Sequence, residues 1–393
     1  MTSSTRTAER PSNPSQEPQG SRRNKLAQRP LPPWTWVVVL VASAVVAAAL
    51  AALFTDFHLG FVFVTTLVLF LVTSYVVTRS RAGRRKANDE LCRNLVYTAF
   101  ILALIPLVSL LWSVTSVGMR GLTEPGFLTS DMMGVSGTTD AESVQEGTSV
   151  QGGIVHALVG SLMITLAAAA ISVPIGLLTS IYLVEYSRGG PLARAITFFV
   201  DVMTGIPSIV AGLFGVAAMS WFLGVLNQAG LISSSRSTMG ITAAIALSVL
   251  MIPIVVRTTE EMLRVVPNEL REASYAMGVR KWRTITKVVL PTAISGIASG
   301  VTLALARVFG ETAPILVTAG FVVNVNWNLF QGWMTALPVY IYRQFQNPIN
   351  PSLSEPSYQR AWAAALVLIF VVMMLNLIAR IIAKVFAPKT GGR

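Results

Sequence analysis

Four ionisable residues lie within or at the edge of long apolar stretches of this sequence: Asp201, Arg257, Arg307 and Glu311. A guanidinium at the centre of a bilayer costs at least ~2.5–3.5 kcal/mol, so charged residues in such places usually face protein or water and mark a substrate path. Guanidinium is a planar fork that suits oxyanions. The two arginines therefore predict a route on which positive charge compensates a passing anion.

The carboxylates near these arginines have simpler explanations. Glu311 follows Arg307 by four residues, so on one continuous helix the two side chains would share a face and could neutralise each other. Asp201 lies near the end of a predicted span, where solvation by water is a sufficient explanation. Glu185 lies at another span end and is interpreted as flanking charge only. The sequence leaves open whether Glu311 pairs with Arg307 or acts on the substrate.

A second constellation lies in the polar segment 260–293. Pro267 suits the first turn of a helix because it has no N–H to lose. Small and apolar residues follow at the spacing i, i+3, i+4 and i+7, and they are Leu270, Ala273, Ser274 and Met277. Gly278 supplies the backbone freedom for a sharp turn at the helix end. The pattern predicts a short amphipathic helix whose small-residue surface fits another protein, and Pro291 marks the entry into the next apolar segment.

Membrane-spanning helices must position these residues. The chain is 53% hydrophobic and only 12% charged, whereas soluble domains carry about 25% charged residues. A span needs roughly 20 predominantly apolar residues. Eight segments qualify: 34–54, 58–78, 94–116, 154–184, 197–224, 239–259, 294–320 and 361–383. The sequence therefore predicts an all-α membrane protein with about eight transmembrane helices.

The distribution of basic residues predicts the orientation. Twenty-four of the 30 Lys and Arg residues lie on one side of the predicted spans, in 1–33, 79–93, 185–196, 260–293 and the end of the chain from 380. Because basic residues favour the cytoplasmic side, both termini are expected there. The net charge of +12 is spread over membrane flanks and is not gathered on a folded domain, which argues against a nucleic-acid partner.

The remaining segments are polar. Residues 1–33 have almost nothing to bury, which predicts a disordered basic cytoplasmic tail. Segment 117–153 is acidic, and segment 321–360 mixes aromatic residues with prolines, so a partly ordered cap at the outer face is expected. The single cysteine, Cys92, and the two histidines make an intrachain disulfide impossible and argue against a metal centre.

Segment 260–293 contains a motif from which coupling of this chain to ATP hydrolysis is predicted. Glu272-Ala273-Ser274, followed by Gly278 and then Leu290-Pro291, is similar to the coupling motif of ABC importer permeases, with Ser274 in place of the second alanine. In that family the short helix docks in a groove of an ATPase. When the ATPase closes, the helix transmits that movement to the pore. The resemblance implies an ATPase coupling site made of Glu272, Ala273, Ser274, Gly278, Leu290 and Pro291.

The stretch Ala304–Pro314 resembles the PstA family of phosphate-specific ABC importer permeases. Further similar stretches lie at 182–186, 205–210 and 253–261, and the resemblance covers about 94–386. It implies a six-span core of the MetI-like type at 94–388, with Arg257 and Arg307 on the phosphate path and Glu311 beside them. An N-terminal transmembrane hairpin with its basic loop, 34–93, precedes this core and is most simply a peripheral, lipid-facing element.

The same resemblance implies a multi-subunit importer in the plasma (inner) membrane. Its partners would be a homologous second permease subunit (PstC-like), an ATPase dimer (PstB-like) and an extracytoplasmic phosphate-binding protein (PstS-like), with membrane lipid around them. No G-x-x-x-x-G-K-[ST] motif occurs in the sequence. The chain is therefore expected to be a pore-forming subunit and not an enzyme, with no cofactor of its own, because ATP and Mg would reside on the ATPase.

Three alternatives remain open at this level. Buried arginines would serve sulfate or molybdate as well as phosphate, although only hydrogen phosphate has an O–H to donate to Glu311. An ion-coupled secondary carrier would explain the intramembrane charges without the coupling motif. A non-transporting scaffold or sensor would explain neither feature.

Overall fold

The computed structural model describes residues 32, 34–54, 58–187, 189–231 and 236–385, and every regular element among them is helical. The first helices are α1 (Thr35–Phe54), α2 (Leu59–Leu122), α3 (Gly137–Glu146), α4 (Val155–Ile181, extended by the π-helical turn Tyr182–Tyr186), α5 (Pro191–Thr204) and α6 (Ser208–Gln228). The predicted tail 1–33 lies, apart from Pro32, outside the described residues.

The later helices are α7 (Gly240–Val265), α8 (Asn268–Ala276), α9 (Lys281–Thr284, followed by the π-helical turn Ile285–Val289), α10 (Leu290–Phe309), α11 (Ala313–Thr318), α12 (Leu337–Gln346) and α13 (Glu355–Val385). In the described part of the chain, seven helices are long and apolar enough to cross a membrane. The predicted all-α membrane class is confirmed. Seven helices replace the eight predicted spans because two of those spans belong to the kinked α2.

Residues 1–109 form one of two compact units. Within it, α2 turns back on itself at Gly83, whose φ of 85° lies in the left-handed region that favours glycine. Asn94 Nδ2 donates to Ser74 Oγ at 3.2 Å, and Thr78 Oγ1 donates to Glu90 Oε2 at 2.6 Å, on the two sides of this turn. The prediction of a loop at 79–93 is therefore wrong, because these residues are helical on both sides of Gly83.

The second unit, residues 110–393, is organised around α7. This helix packs against α4, α5, α6, α10 and α11, and its apolar window is the most buried of the candidate spans. Close approach depends on glycines of the neighbouring helices. A Cβ on Gly176 of α4 would meet Val255 at 2.6 Å, and one on Gly300 of α10 would meet Thr258 at 2.7 Å. Small residues thus let the helix backbones approach closely. Close packing matters here because the hydrophobic effect does not drive helices together in lipid.

Two predicted spans are wrong as continuous helices. Segment 197–224 is divided into α5 and α6 at residues 205–207, and segment 294–320 is divided into α10 and α11 at residues 310–312. Glycine and proline lie at both breaks, and Pro207 and Pro314 have no N–H to give to the carbonyl one turn earlier. The halves that follow the two breaks pack on each other, since a Cβ on Gly212 of α6 would meet Pro314 Cα at 2.8 Å.

The two polar segments predicted to form an outer cap are folded against α13. Arg360 and Asp140 form an ion pair in which each side chain is 1% exposed, with Nη1 to Oδ1 at 2.9 Å and Nη2 to Oδ2 at 2.6 Å. Nη1 also donates to the Gln151 carbonyl at 2.9 Å. Nearby, burial raises the pKa of the Tyr340 phenol, whose hydroxyl contacts Met132 Sδ. The bidentate ion pair between Arg360 and Asp140 fixes α3 to the start of α13.

Candidate translocation path and coupling loop

Arg257 lies in α7, and its guanidinium is held by carboxylates on two sides. Nη2 pairs with Asp201 Oδ1 of α5, and Nη1 donates to Glu260 Oε2 at 3.1 Å. Glu260 also accepts from Arg264 Nη2 at 2.5 Å. The Asp201 side chain is 59% exposed, so it is solvated as expected, and in addition its carboxylate joins α5 to α7 through Arg257.

Arg307 has a different environment. It lies in the last turn of α10, two residues before the helix ends at Phe309, and its side chain is exposed. Within the described residues its guanidinium makes no hydrogen bond, ion pair or ring contact. A free guanidinium at this position can accept an anion without first losing a protein partner.

The continuous helix assumed for Arg307 and Glu311 is not present. Gly310 ends α10, and the Glu311 N–H donates to the Val308 carbonyl at 3.1 Å in a tight turn. In the described chain the Glu311 carboxylate is half-buried and forms no pair with Arg307. Mutual neutralisation at i, i+4 is therefore wrong for this structure.

The relative depth of the two arginines follows from helix packing. Gly300 of α10 faces Thr258 of α7, and Gly296 faces Met262, so the two helices are antiparallel neighbours. Arg307 follows Gly300 by seven residues, which places it about 10 Å farther along the bundle at 1.5 Å per residue. Arg307 therefore lies at the same depth as the middle of α7, although it is close to the end of α10. The break at 310–312 thus lies at mid-depth.

Broken helices at this depth have a physical consequence. Backbone groups freed from a helix cannot face lipid, so irregular backbone inside a membrane must be buried in protein or line a water-filled space. The 310–312 break, three residues after Arg307 in the chain, supplies such backbone. The break at 310–312 is therefore a place where protein or water must cover irregular backbone.

The predicted short helix in the coupling loop is present as α8. It begins after Pro267 and ends before Gly278, whose φ is 74°. The Gly278 N–H donates to the Tyr275 carbonyl at 2.9 Å. A Cβ at Gly278 would meet nothing within 4 Å, so backbone conformation and not space favours glycine here.

The surface of α8 is exposed, with no residue of the helix buried in this chain. Glu272 and Ala273 face outward, and Met277 just beyond the helix is 81% exposed. Ser274 is half-buried and shares a hydrogen bond of 2.8 Å with Thr284 Oγ1. The replacement of the motif's second alanine therefore ties α8 to α9.

Leu290 and Pro291 begin α10, but the helical segment itself starts nine residues before Leu290, at Lys281. The π-helical turn Ile285–Val289 ends two residues before Pro291. A wider turn accommodates a residue that cannot donate to the preceding turn. The Leu-Pro end of the motif therefore marks the point where α9 and the wide turn pass into α10.

One pair of functional candidates was missed from the sequence. Arg271 of α8 donates to Glu185 Oε1 from Nε at 3.0 Å and from Nη2 at 2.8 Å. Glu185, expected to be only flanking charge, is buried at the end of the π-helical turn after α4. The two residues are 86 positions apart, and a single sequence carries no signal that would join them.

Comparisons with known proteins agree with this architecture. Residues 172–392 match the family model of the binding-protein-dependent transport system inner membrane component. A relative from Mycobacterium tuberculosis (strain ATCC 25618 / H37Rv), the phosphate transport system permease protein PstA 1, is 43% identical over 307 residues, which cover 78% of this chain and 91% of the relative. The phosphate transport system permease protein PstA of Yersinia pestis is 33% identical over 313 residues, covering 79% and 94%.

A solved bacterial alginate ABC transporter, in complex with a periplasmic protein bound to an alginate pentasaccharide, has a chain of the same fold. The TM-score is 0.52 at 16% sequence identity, covering 79% of this chain and all of that chain. At this identity the likeness extends to the fold alone.

Proposed function

Because the chain belongs to the family of binding-protein-dependent transport system inner membrane components, we propose that it is a pore-forming permease subunit of an ATP-driven importer for inorganic phosphate. The observation that carries the proposal is the free guanidinium of Arg307 at a mid-depth helix break, in a chain whose relatives are named phosphate permeases. The other half of the pore would come from a homologous permease subunit (PstC-like).

Phosphate would pass the two arginines in sequence. Arg307 offers uncompensated positive charge at mid-depth, and Arg257, about 10 Å away along the bundle axis, shares its charge with Asp201 and Glu260. An anion that leaves Arg307 then meets a guanidinium for which protein carboxylates compete. This ordering favours transient contact over tight binding, which a path needs in order to release its substrate.

Glu311 would contribute selectivity. It lies at the break beside Arg307 and forms no ion pair in the described chain. Hydrogen phosphate can donate its O–H to a carboxylate, whereas sulfate has no proton to donate and is repelled. The half-buried carboxylate thus supports passage of phosphate over a fully deprotonated oxyanion.

Energy would enter through α8. Its exposed face, together with Gly278 and the Leu290-Pro291 entry to α10, would dock on an ATPase dimer (PstB-like) that carries ATP and Mg. An extracytoplasmic binding protein (PstS-like) would deliver phosphate at the opposite face. Docking of α8 on a cytoplasmic ATPase, together with the concentration of basic residues on the same side, supports cytoplasmic N and C termini.

The proposal is tested by reconstituting the complete complex in proteoliposomes and measuring uptake of radiolabelled phosphate. We expect uptake that requires ATP and the binding protein and that excess sulfate does not compete away. Uptake driven by a proton gradient in the absence of ATP would instead support a secondary carrier. ATP-dependent uptake of sulfate in preference to phosphate would reassign the substrate.

A further inference from the structure

Arg271 is the one arginine of α8, and its side chain points away from the exposed face of that helix. Its side chain is 12% exposed and that of Glu185 is 5% exposed, whereas the next residue, Glu272, is open to solvent. These two neighbouring residues, about 100° apart around the α8 axis, thus have different surroundings. Glu272 is available to a partner, and Arg271 reaches into its own chain.

The guanidinium of Arg271 contacts two other elements at once. It donates twice to Glu185, and it donates from Nη1 to the Val266 carbonyl at 2.6 Å and from Nη2 to the Leu263 carbonyl at 2.9 Å. The two carbonyls belong to the C-terminal end of α7, where helical backbone acceptors have no partner within the helix. Arg271 therefore joins α8 both to the end of α4 and to the end of α7.

This geometry is suited to transmitting movement. The planar guanidinium of arginine has fixed donor directions and holds several acceptors in one arrangement, which the flexible ammonium group of lysine does not. Burial strengthens each of these contacts and makes loss of any one of them costly. A displacement of α8 in either direction is consequently passed to α4 and α7, and not absorbed by the loop.

We infer that Arg271 and Glu185 are positioning residues that form a joint, through which motion of α8 is converted into motion of α4 and α7. This inference rests on the proposed docking of α8 on an ATPase. Because α7 also carries Arg257, the joint connects nucleotide-driven movement directly to the anion path. Glu185 and Arg271 touch neither ATP nor the transported anion.

The first test compares Arg271→Ala with the wild-type complex in proteoliposomes. ATP hydrolysis and phosphate uptake are measured in the same preparation. We expect assembly and hydrolysis to persist while uptake per ATP falls roughly 10-fold, in the range of typical coupling between sites. Arg271→Lys keeps the charge without the fork and is expected to recover part of the loss.

Arg93→Ala is the matched control, because it removes an arginine from an exposed ion pair with Glu90. Its uptake per ATP should equal that of the wild type. If Arg271→Ala lowers hydrolysis and uptake in parallel, so that uptake per ATP is unchanged, the joint is structural only and the inference is wrong.

A second variant separates coupling from folding. Glu185→Leu combined with Arg271→Met removes both charges, so no unpaired ion remains buried. We expect this variant to assemble and hydrolyse ATP but still to import poorly, because the bonds to the Leu263 and Val266 carbonyls are lost. Normal uptake per ATP in the double variant would overturn the inference.

A measurement without phosphate distinguishes failure of the joint from failure of the proposed substrate. Spin labels are placed at Leu178 of α4 and Glu269 of α8, in a Cys92→Ser background, and distances are measured in the complex with and without ATP and vanadate. In the wild type we expect one unchanged distance, since the helices move together. In Arg271→Ala the distance should change on trapping, and identical behaviour of the two proteins would contradict the joint.

Discussion

Arg257 and Arg307 are the same residue type on two packed helices, yet their electrostatic environments differ. Arg257 is bound by Asp201 and Glu260, whereas Arg307 is exposed and has no partner in the described chain. A charge already paired by carboxylates gains little from an incoming anion, while an unpaired one gains the full interaction. The difference suggests that the two arginines have unequal roles on one path.

Removal of the free guanidinium should have the largest effect. Arg307→Ala takes away the charge-assisted contact that we propose for the anion at mid-depth, and hydrogen bonds to charged groups contribute about 1.5–3 kcal/mol, so uptake should fall roughly 10- to 150-fold. Radiolabelled uptake by proteoliposomes measures this, with co-purification of the other subunits as the control for assembly. Normal uptake would show that Arg307 is structural and would remove the basis of the comparison.

Loss of Arg257 should be less damaging to substrate contact and should be partly reversible. Arg257→Ala leaves Asp201 unneutralised beside the path, where it repels an anion. The double variant Arg257→Ala, Asp201→Asn removes that repulsion, so its uptake should exceed that of Arg257→Ala alone. Equal uptake by the two variants would mean that Asp201 does not act on the passing anion.

Asp201→Asn alone should release Arg257 from one of its two carboxylates while Glu260 remains. The anion then competes with fewer protein groups, and we expect a several-fold lower phosphate concentration for half-maximal uptake with a lower maximal rate, because release slows. Uptake measured over a range of phosphate concentrations would reveal this. An unchanged concentration dependence would place the Asp201 pair outside the path.

The smallest expected effect concerns selectivity. Glu311→Gln keeps the size of the side chain but removes the charge that repels sulfate, so inhibition of phosphate uptake by sulfate should increase about threefold, the consequence of ~0.6 kcal/mol. Competition assays at fixed phosphate measure the change. If sulfate competes no better than in the wild type, Glu311 has no role in the preference.

Local composition was sufficient for several features of this protein. The apolar segments and α8, with its proline start and its glycine end, could be predicted, because each depends on neighbours within one or two helical turns. The assignment of Arg257, Arg307 and Glu311 to the path stays a prediction. The breaks at 205–207 and 310–312 were missed although Gly and Pro stand there. Membrane helices also tolerate proline without breaking, so the residue types alone do not decide.

Tertiary structure decided which charges are paired. Asp201 and Arg257 are 56 residues apart, Glu185 and Arg271 86, and Asp140 and Arg360 220. Whether a charge is free or neutralised depends on which helices the fold places side by side, and a linear sequence of apolar segments is compatible with many such arrangements. The sequence by itself determined that arginines enter the membrane; only the packing of α5, α7 and α10 determined that Arg257 is held and Arg307 is free.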